Sequence, residues 1–162
     1  MMTANRPGVT AYTTPTDTTV EIRRLVDAPR ALVFEAWTSP KHMPQWLGGL
    51  PGWSMIVCEP ATRPGQAWRL TWRKADGSEM TLSGVCREFT PPSRMVQTER
   101  WGPEWPETVN TVEFTEQGAR TMIALTVAYP SKEARDAALK TGMKDGMDLS
   151  FQLLDQLLEK IA

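Results

Sequence analysis

The chain has 162 residues, one histidine, two cysteines and a formal net charge of −1 at pH 7. This length predicts one domain, and the balanced charge argues against a nucleic-acid-binding protein, which normally carries a basic excess. No apolar run approaches the ~20 residues of a membrane span, and the N-terminus lacks the apolar core of a signal peptide. We therefore expect a soluble cytoplasmic protein without a nucleic-acid or membrane partner.

The first eighteen residues are rich in threonine and contain Pro7, Gly8 and Pro15. They offer few groups that could be buried, which is typical of a mobile terminus. We therefore expect a flexible N-terminal arm over residues 1–18 and a single folded domain over residues 19–162.

The folded part begins with a predicted strand and two short helices. Thr19 to Val26 is rich in β-branched residues, which favour strands. Asp27 is suited to cap a helix that begins at Asp27-Ala28-Pro29, because proline is favoured in a first helical turn. Ser39-Pro40 ends this helix, and a second short helix is predicted for Lys41 to Leu47.

Six further strands follow, over approximately residues 53–59, 66–75, 79–89, 94–101, 108–115 and 120–129. Asp76-Gly77 between two strand patterns is a strong hairpin signal, and Gln117-Gly118 marks another short turn. Successive short turns predict an antiparallel meander. Because the strands and helices are segregated along the chain, the fold class is α+β.

Alternation in the strands identifies one apolar face of the sheet. Trp68, Leu70 and Trp72 lie on the same side of their strand, and Met80 and Leu82 continue that side on the next strand. A sheet with one apolar face needs a cover. The only element long enough to cover it is at the C-terminus.

The last thirty residues predict one long amphipathic helix from Ser131 to Ala162. Its N-terminal half combines methionines with Gly142 and Gly146, although a glycine inside a helix costs roughly 1 kcal/mol relative to alanine. Two glycines on one flank indicate that something passes close to the backbone. We expect this half to line a cavity and the leucine-rich half to close the core. The apolar face comprises Leu139, Met143, Met147, Ser150, Leu154, Leu157, Leu158 and Ile161.

Four segments carry a family resemblance: DAPRALVFEAWTSPKHMPQWLG, PGQAWRLTWRKADG, WPETVNTVEFTE and TGMKDGMDLSFQLLDQLL, which begin at Asp27, Pro64, Trp105 and Thr141. They resemble the Bet v 1-like (START, SRPBCC) superfamily, in the branch related to the C-terminal domain of the activator of Hsp90 ATPase. The resemblance implies a helix-grip fold, in which a curved antiparallel sheet wraps the C-terminal helix and leaves a hydrophobic pocket. It also implies that pairing of the first strand closes the sheet. The family commonly has tryptophan where this chain has Met147.

The candidate ligand-binding residues are the inward strand side chains, the helix methionines and one tryptophan at a strand end. They are Trp68, Leu70, Trp72, Met80, Leu82, Trp101, Met122, Met143 and Met147. Aromatic and methionine side chains form adaptable apolar walls, although ordinary core packing is the alternative role for them. Trp53, Trp101 and Trp105 lie near loops, where tryptophans frame a pocket mouth or form a homodimer interface.

Neither a catalytic nor a metal site is identifiable, and no cofactor is expected. His42 has no partner motif, so we expect a surface or rim histidine. Cys58 and Cys86 do not form a Cys-x-x-Cys pair, and we expect them to be buried, reduced thiols. Polar groups that could orient a ligand are Glu99, Glu113, Thr111 and Asn110, but alternation leaves open which of them faces inward.

Three functions therefore remain open. The favoured one is the binding of a small hydrophobic ligand in an internal cavity between the sheet and the C-terminal helix. The second is a cyclase-like or hydrolase-like enzyme that acts on a hydrophobic substrate there, and a buried carboxylate with a perturbed pKa in the pocket would favour it. The third, a chaperone-associated protein-interaction module, is implied by the resemblance and would be favoured by a closed core with an exposed apolar patch.

Overall fold

Eight antiparallel strands form one curved sheet against the C-terminal helix in the computed structural model, which describes residues 6–162. The sheet order is β1-β2-β8-β7-β6-β5-β4-β3, which is the α+β helix-grip architecture that the sequence predicts. The elements in chain order are β1 (Thr10–Thr13), β2 (Thr19–Val26), α1 (Arg30–Thr38), α2 (Met43–Trp46), β3 (Trp53–Glu59), β4 (Ala67–Lys74), β5 (Glu79–Thr90), β6 (Arg94–Trp101), β7 (Thr108–Gln117), β8 (Arg120–Ala128), α3 (Lys132–Leu139) and α4 (Met143–Ile161).

The meander from β3 to β8 is joined to the N-terminal part of the chain through β2. This strand pairs with β8 along its whole length, from Thr19 opposite Ala128 to Val26 opposite Thr121. The two short helices, α1 and α2, connect β2 to the far edge of the sheet at β3. The pairing of the predicted first strand therefore follows the arrangement that the family resemblance implies. None of the helices within residues 6–162 has the length and apolar character needed to cross a membrane.

The prediction of a flexible arm over residues 1–18 needs correction, because Thr10–Thr13 forms β1 on the edge of β2. Ala11 is buried there, and the hydroxyl of Tyr12 donates a hydrogen bond of 2.6 Å to Oδ1 of Asp148 on α4. The free edge of β2 and this contact with α4 order a segment whose threonine-rich composition gave no burial signal. The part of the predicted arm over residues 1–5 lies outside the described residues.

Asp27 is not the N-cap of the first helix, contrary to the sequence prediction. Helix α1 begins at Arg30, with Pro29 in the capping position and no side-chain cap. The carboxylate of Asp27 instead lies 3.4 Å from Nε of Arg120, at the start of β8. This ion pair therefore links the end of β2 to the neighbouring strand β8.

The predicted single helix from Ser131 to Ala162 is divided into α3 and α4. The hydroxyl of Ser131 caps α3 by accepting a hydrogen bond from the backbone of Ala134. At the break, Oγ1 of Thr141 donates to the carbonyl of Ala138 and accepts from the backbone N–H of Met143. This local bonding of a short polar side chain competes with helical bonding. Because the apolar periodicity continues across the break, the sequence pattern indicated one helix.

The leucine-rich half of α4 closes the main hydrophobic core, as the sequence predicts. Phe151 and Leu154 are fully buried, and Leu157 and Leu158 are nearly so. Aromatic rings from other elements complete this region, including Phe34 of α1, which meets Phe114 of β7 edge-on at 5.5 Å between centroids. This core fixes one end of α4 and leaves its N-terminal end beside the open part of the sheet.

Two glycine substitutions should change stability in opposite directions. A Cβ built at Gly146 meets no atom of the described residues within 4 Å, so the expectation that another segment passes close to the helix backbone is wrong. Gly146→Ala should therefore raise the free energy of unfolding by roughly 1 kcal/mol, since alanine is the better helix former. A Cβ at Gly84 would overlap the carbonyl oxygen of Thr98 and lie 2.8 Å from Nε1 of Trp68.

Gly84→Ala should consequently lower the free energy of unfolding by roughly 1–3 kcal/mol through overpacking. Urea unfolding of both variants measures the two changes. A stabilised Gly84→Ala or a clearly destabilised Gly146→Ala would contradict the positions of these backbones.

Candidate functional site

A cavity of about 530 Å³ lies between the sheet and the N-terminal part of α4. Strands β4 to β8, together with Ile22 of β2, supply one wall, and residues of α1, α2, α3 and α4 supply the other. Small-molecule sites typically have volumes of about 300–1,000 Å³ and mostly apolar walls. The cavity is thus large enough for a small organic molecule.

Eight of the nine predicted ligand-binding residues border this cavity. They are Trp68, Leu70, Trp72, Met80, Leu82, Trp101, Met143 and Met147.

 Whether these eight residues contact a ligand stays a prediction, but alternation in β4 and β5 correctly identified the residues that face inward. Met122 does not border the cavity, because it packs with Ala11 and Leu25 on the opposite face of the sheet. In β8 the inward residues are Leu125 and Val127.

Tryptophan rings form a fixed aromatic wall in this cavity. Nε1 of Trp68 donates to the carbonyl of Thr98 at 3.0 Å, and Nε1 of Trp72 donates to the carbonyl of Leu47 at 3.1 Å. The rings of Trp72 and Trp101 stack with centroids 6.0 Å apart. Since the backbone already satisfies the indole N–H groups of Trp68 and Trp72, these rings offer apolar surface to the cavity.

One carboxylate, that of Glu99, faces this mostly apolar space. Alternation along β6 places it on the same side as Met95, Gln97 and Trp101, all of which border the cavity. Burial raises the pKa of Glu99, and the side chains of Asn110 and Trp101 oppose this rise. The Glu99 side chain is half-buried, and its neutral form is favoured more than in water.

The polar groups around Glu99 form a small cluster on β6, on β7 and at Tyr129, which directly follows β8. Oγ1 of Thr108 donates a 2.8 Å hydrogen bond to Oδ1 of Asn110, so the amide nitrogen of Asn110 is the group that can donate to Glu99. Burial and the charge of Glu99 raise the pKa of Tyr129 to about 12. We call Glu99, Thr108, Asn110 and Tyr129 the polar cluster.

The remaining polar candidates do not face the cavity. Glu113 is exposed, and its carboxylate lies 3.2 Å from Nη1 of Arg94. Thr111 does not border the cavity either. The sequence could not separate these residues from Glu99 and Asn110, because the segment from Arg94 to Trp101 fits either register.

His42 is buried, which corrects the expectation of a surface or rim histidine. It is 6% exposed, its Nε2 lies 3.9 Å from the Glu35 carboxylate, and its Nδ1 has no hydrogen-bond partner among residues 6–162. It does not border the cavity. Cys58 is half-buried and Cys86 is buried, and both are free thiols. Within the described part of the chain, no three His, Cys, Asp or Glu side chains converge in a way that could hold a metal ion.

Glu99→Gln should remove part of the pH dependence of stability. Because burial raises the pKa of Glu99 in the folded state, its contribution to stability is complete below the unfolded pKa and is lost as pH rises through the folded pKa. Each unit of rise corresponds to about 1.4 kcal/mol. The variant should therefore gain stability relative to the wild type as pH rises above the unfolded glutamate pKa of about 4.3, measured by urea unfolding.

Glu113→Gln is the matched control for this measurement, since Glu113 is an exposed carboxylate on the adjacent strand. Its stability difference from the wild type should not grow in the same direction over this range. Equal pH profiles for the two variants would show that Glu99 is not held in an environment that favours its neutral form.

Comparison with known proteins identifies relatives of the same fold. The family model described as Activator of Hsp90 ATPase homolog 1-like protein matches residues 27–159. A crystal structure of a Rhodobacter sphaeroides protein has 28% sequence identity and a TM-score of 0.88, with 95% of this chain and 100% of that chain covered. No curated protein matches the chain.

Two more distant structures show the same fold. A Nitrosomonas europaea protein is 20% identical with a TM-score of 0.80, over 91% of this chain and 98% of that chain. A Mycobacterium smegmatis protein is 20% identical with a TM-score of 0.79, over 91% of this chain and 95% of that chain. At these identities the similarity shows a shared fold, and a shared fold does not establish a shared function.

Proposed function

The chain belongs to the Activator of Hsp90 ATPase homolog 1-like family, and from this premise we propose that it binds a small hydrophobic molecule between the sheet and α4. The observation that carries the proposal is the cavity of about 530 Å³ with mostly aromatic and aliphatic walls. Burial of a ligand's apolar surface contributes about 25 cal/mol per Å². The polar cluster supplies the few directional contacts that orient a ligand in such a site.

The fixed orientation of the wall supports binding to a preformed site. The backbone hydrogen bonds of Trp68 and Trp72 hold these rings in place before a ligand arrives. A site that needs little ordering on binding loses less conformational entropy, and its affinity rises accordingly. The methionines of α4, Met143 and Met147, provide the adaptable side of the same cavity.

An enzyme is the second candidate, and the environment of Glu99 is the observation that favours it. A carboxyl group whose pKa is raised in an apolar cavity is suited to general acid–base catalysis near neutral pH. In this case Glu99→Gln would abolish turnover of a bound substrate, whereas in a binding protein the same change would alter only affinity.

The interaction-module and homodimer alternatives depend on exposed apolar side chains. Trp101 and Trp105 are 42% and 37% exposed, but both also border the cavity. Trp53 is partly covered by Lys74, whose Nζ lies 4.9 Å from the centre of its ring. Exposure of Trp101 and Trp105 at the edge of a ligand cavity requires no protein partner, so we place both alternatives below ligand binding.

Native mass spectrometry of the freshly purified chain tests the proposed function. We expect a population that carries one small molecule, which is released in denaturing solvent. Calorimetric titration with 1-octanol provides the second measurement, because it does not depend on a ligand surviving purification. A bare chain that also fails to bind 1-octanol would overturn the proposal.

A further inference from the structure

We propose that the cavity selects hydrophobic molecules that carry one positively charged amino group, with Glu99 as the group that binds this ammonium. The inference rests on the proposed function, since it names the chemical class of ligand for the same cavity. It depends on three features of the cavity: the charge of its lining, the surroundings of that charge and the aromatic wall.

The first feature is a carboxylate without a counter-ion. Among the described residues that border the cavity, none is lysine, arginine or histidine, and Glu99 is the one carboxylic acid. Tyr129 is the second ionisable residue of the lining, and its raised pKa keeps it neutral at physiological pH. An ammonium group would therefore supply the only positive charge next to Glu99.

The second feature is that cationic side chains of the surrounding elements are engaged elsewhere. Arg24 of β2 bonds to Asp155 and Thr10. Two arginines of β6 also point away from the cavity: Arg100 donates to the carbonyl of Trp105, and Arg94 lies beside Glu88 and Glu113. His42 lies beside Glu35 and does not border the cavity. None of these groups lines the space in front of Glu99.

The third feature is the aromatic wall. Trp68, Trp72, Trp101 and Tyr129 all border the cavity, and aromatic ring faces attract cations. A ligand carboxylate would instead bring a second negative charge beside the ionised form of Glu99, which is unfavourable. The cavity thus distinguishes a hydrophobic amine from a fatty acid with the same apolar chain.

Binding of an ammonium should lower the pKa of Glu99 and so release a proton at a pH between the Glu99 pKa values of the occupied and the empty cavity. In the empty cavity burial favours the neutral carboxyl of Glu99, whereas an adjacent positive charge favours the carboxylate. Where Glu99 is protonated before binding, its O–H bond breaks, the proton passes to solvent, and the ammonium N–H groups donate to the carboxylate. A neutral alcohol brings no charge and should release no proton.

Isothermal titration calorimetry with 1-octylamine, 1-octanol and octanoate tests the inference, because the three ligands share one apolar chain length. We expect 1-octylamine to bind at least about tenfold more tightly than 1-octanol, with octanoate weakest. Titrations in two buffers of different ionisation enthalpy, repeated at several pH values above the usual glutamate pKa of about 4.3, should show proton release for the amine alone. In Glu99→Gln the ratio of amine to alcohol affinity should fall to about one, while Glu113→Gln should keep the wild-type ratio.

The outcomes separate the inference from the function on which it rests. If 1-octanol binds as tightly as 1-octylamine, or octanoate binds most tightly, the amine selectivity is overturned and ligand binding stands. If the amine preference survives in Glu99→Gln, another group binds the ammonium and the assignment of Glu99 is overturned. If none of the three ligands binds, both the inference and the proposed function are overturned.

Discussion

Leu154→Asp should leave the chain unfolded at 25 °C. Leu154 is 0% exposed in the middle of α4 and belongs to the same core as Phe151, Leu157 and Leu158. Loss of a buried leucine side chain alone costs roughly 2–5 kcal/mol, and an unpaired buried charge adds a further penalty of several kcal/mol. Together these terms reach the roughly 5–15 kcal/mol of total stability that is usual for a domain.

Gln152→Asp is the matched control, since it introduces the same side chain two residues away on the exposed face of α4. It should unfold in urea close to the wild-type midpoint. Far-ultraviolet circular dichroism and urea unfolding measure both variants. Similar stability of Leu154→Asp and Gln152→Asp would contradict the buried face assigned to α4.

Met147→Trp should reduce ligand binding by at least about tenfold while thermal stability holds or rises. Met147 borders the cavity from the N-terminal half of α4. A larger aromatic side chain would occupy part of the space that a ligand needs and regain packing contacts with the walls. The substitution also introduces the residue type that the family resemblance implies at this position.

The opposite result would follow from a site that is already packed. Overpacking would then lower the free energy of unfolding by roughly 1–3 kcal/mol. Gln152→Trp, on the exposed face of the same helix, controls for the effect of an added tryptophan. Lower stability of Met147→Trp with unchanged binding of 1-octanol would contradict a ligand cavity at Met147 and favour the interaction module.

The sequence predicted the parts of the fold that depend on strong local patterns. The regular alternation in β4 and β5 identified the inward tryptophans and leucines, and Asp76-Gly77 forms the expected turn, with Gly77 at φ = 90°. Helix α4 was identified by its apolar stripe. These features depend on residues close together in the chain, which is why one sequence was enough to predict them.

The missed features depend on contacts between distant segments. β1 is ordered by β2 and by the bond from Tyr12 to Asp148, 136 residues away. β8 reads Thr-Met-Ile-Ala-Leu-Thr-Val, a nearly continuous apolar run in which alternation cannot distinguish the two faces, and Met122 was therefore assigned to the wrong one. Fully buried Phe151 was absent from the predicted apolar face of the C-terminal helix.

The polar cluster was the least predictable part of the candidate site. Glu99 and Glu113 are both strand carboxylates, and only the packed sheet shows that one faces the cavity while the other meets Arg94. Tyr129 continues the cavity-facing alternation of Leu125 and Val127, but it was missed because the two faces of the predicted strand 120–129 could not be distinguished. The chemistry of the cavity therefore comes from the sheet register, while its apolar character could be predicted from the sequence.

The most direct test of the ligand cavity is an NMR titration of the indole N–H signals of the seven tryptophans with 1-octanol. We predict that the signals of Trp68, Trp72 and Trp101, which border the cavity, shift together and saturate at one ligand per chain. The signal of Trp53, which does not border it, should stay unchanged. Shifts confined to Trp53, or no saturable shift of Trp68, Trp72 and Trp101, would contradict binding in this cavity.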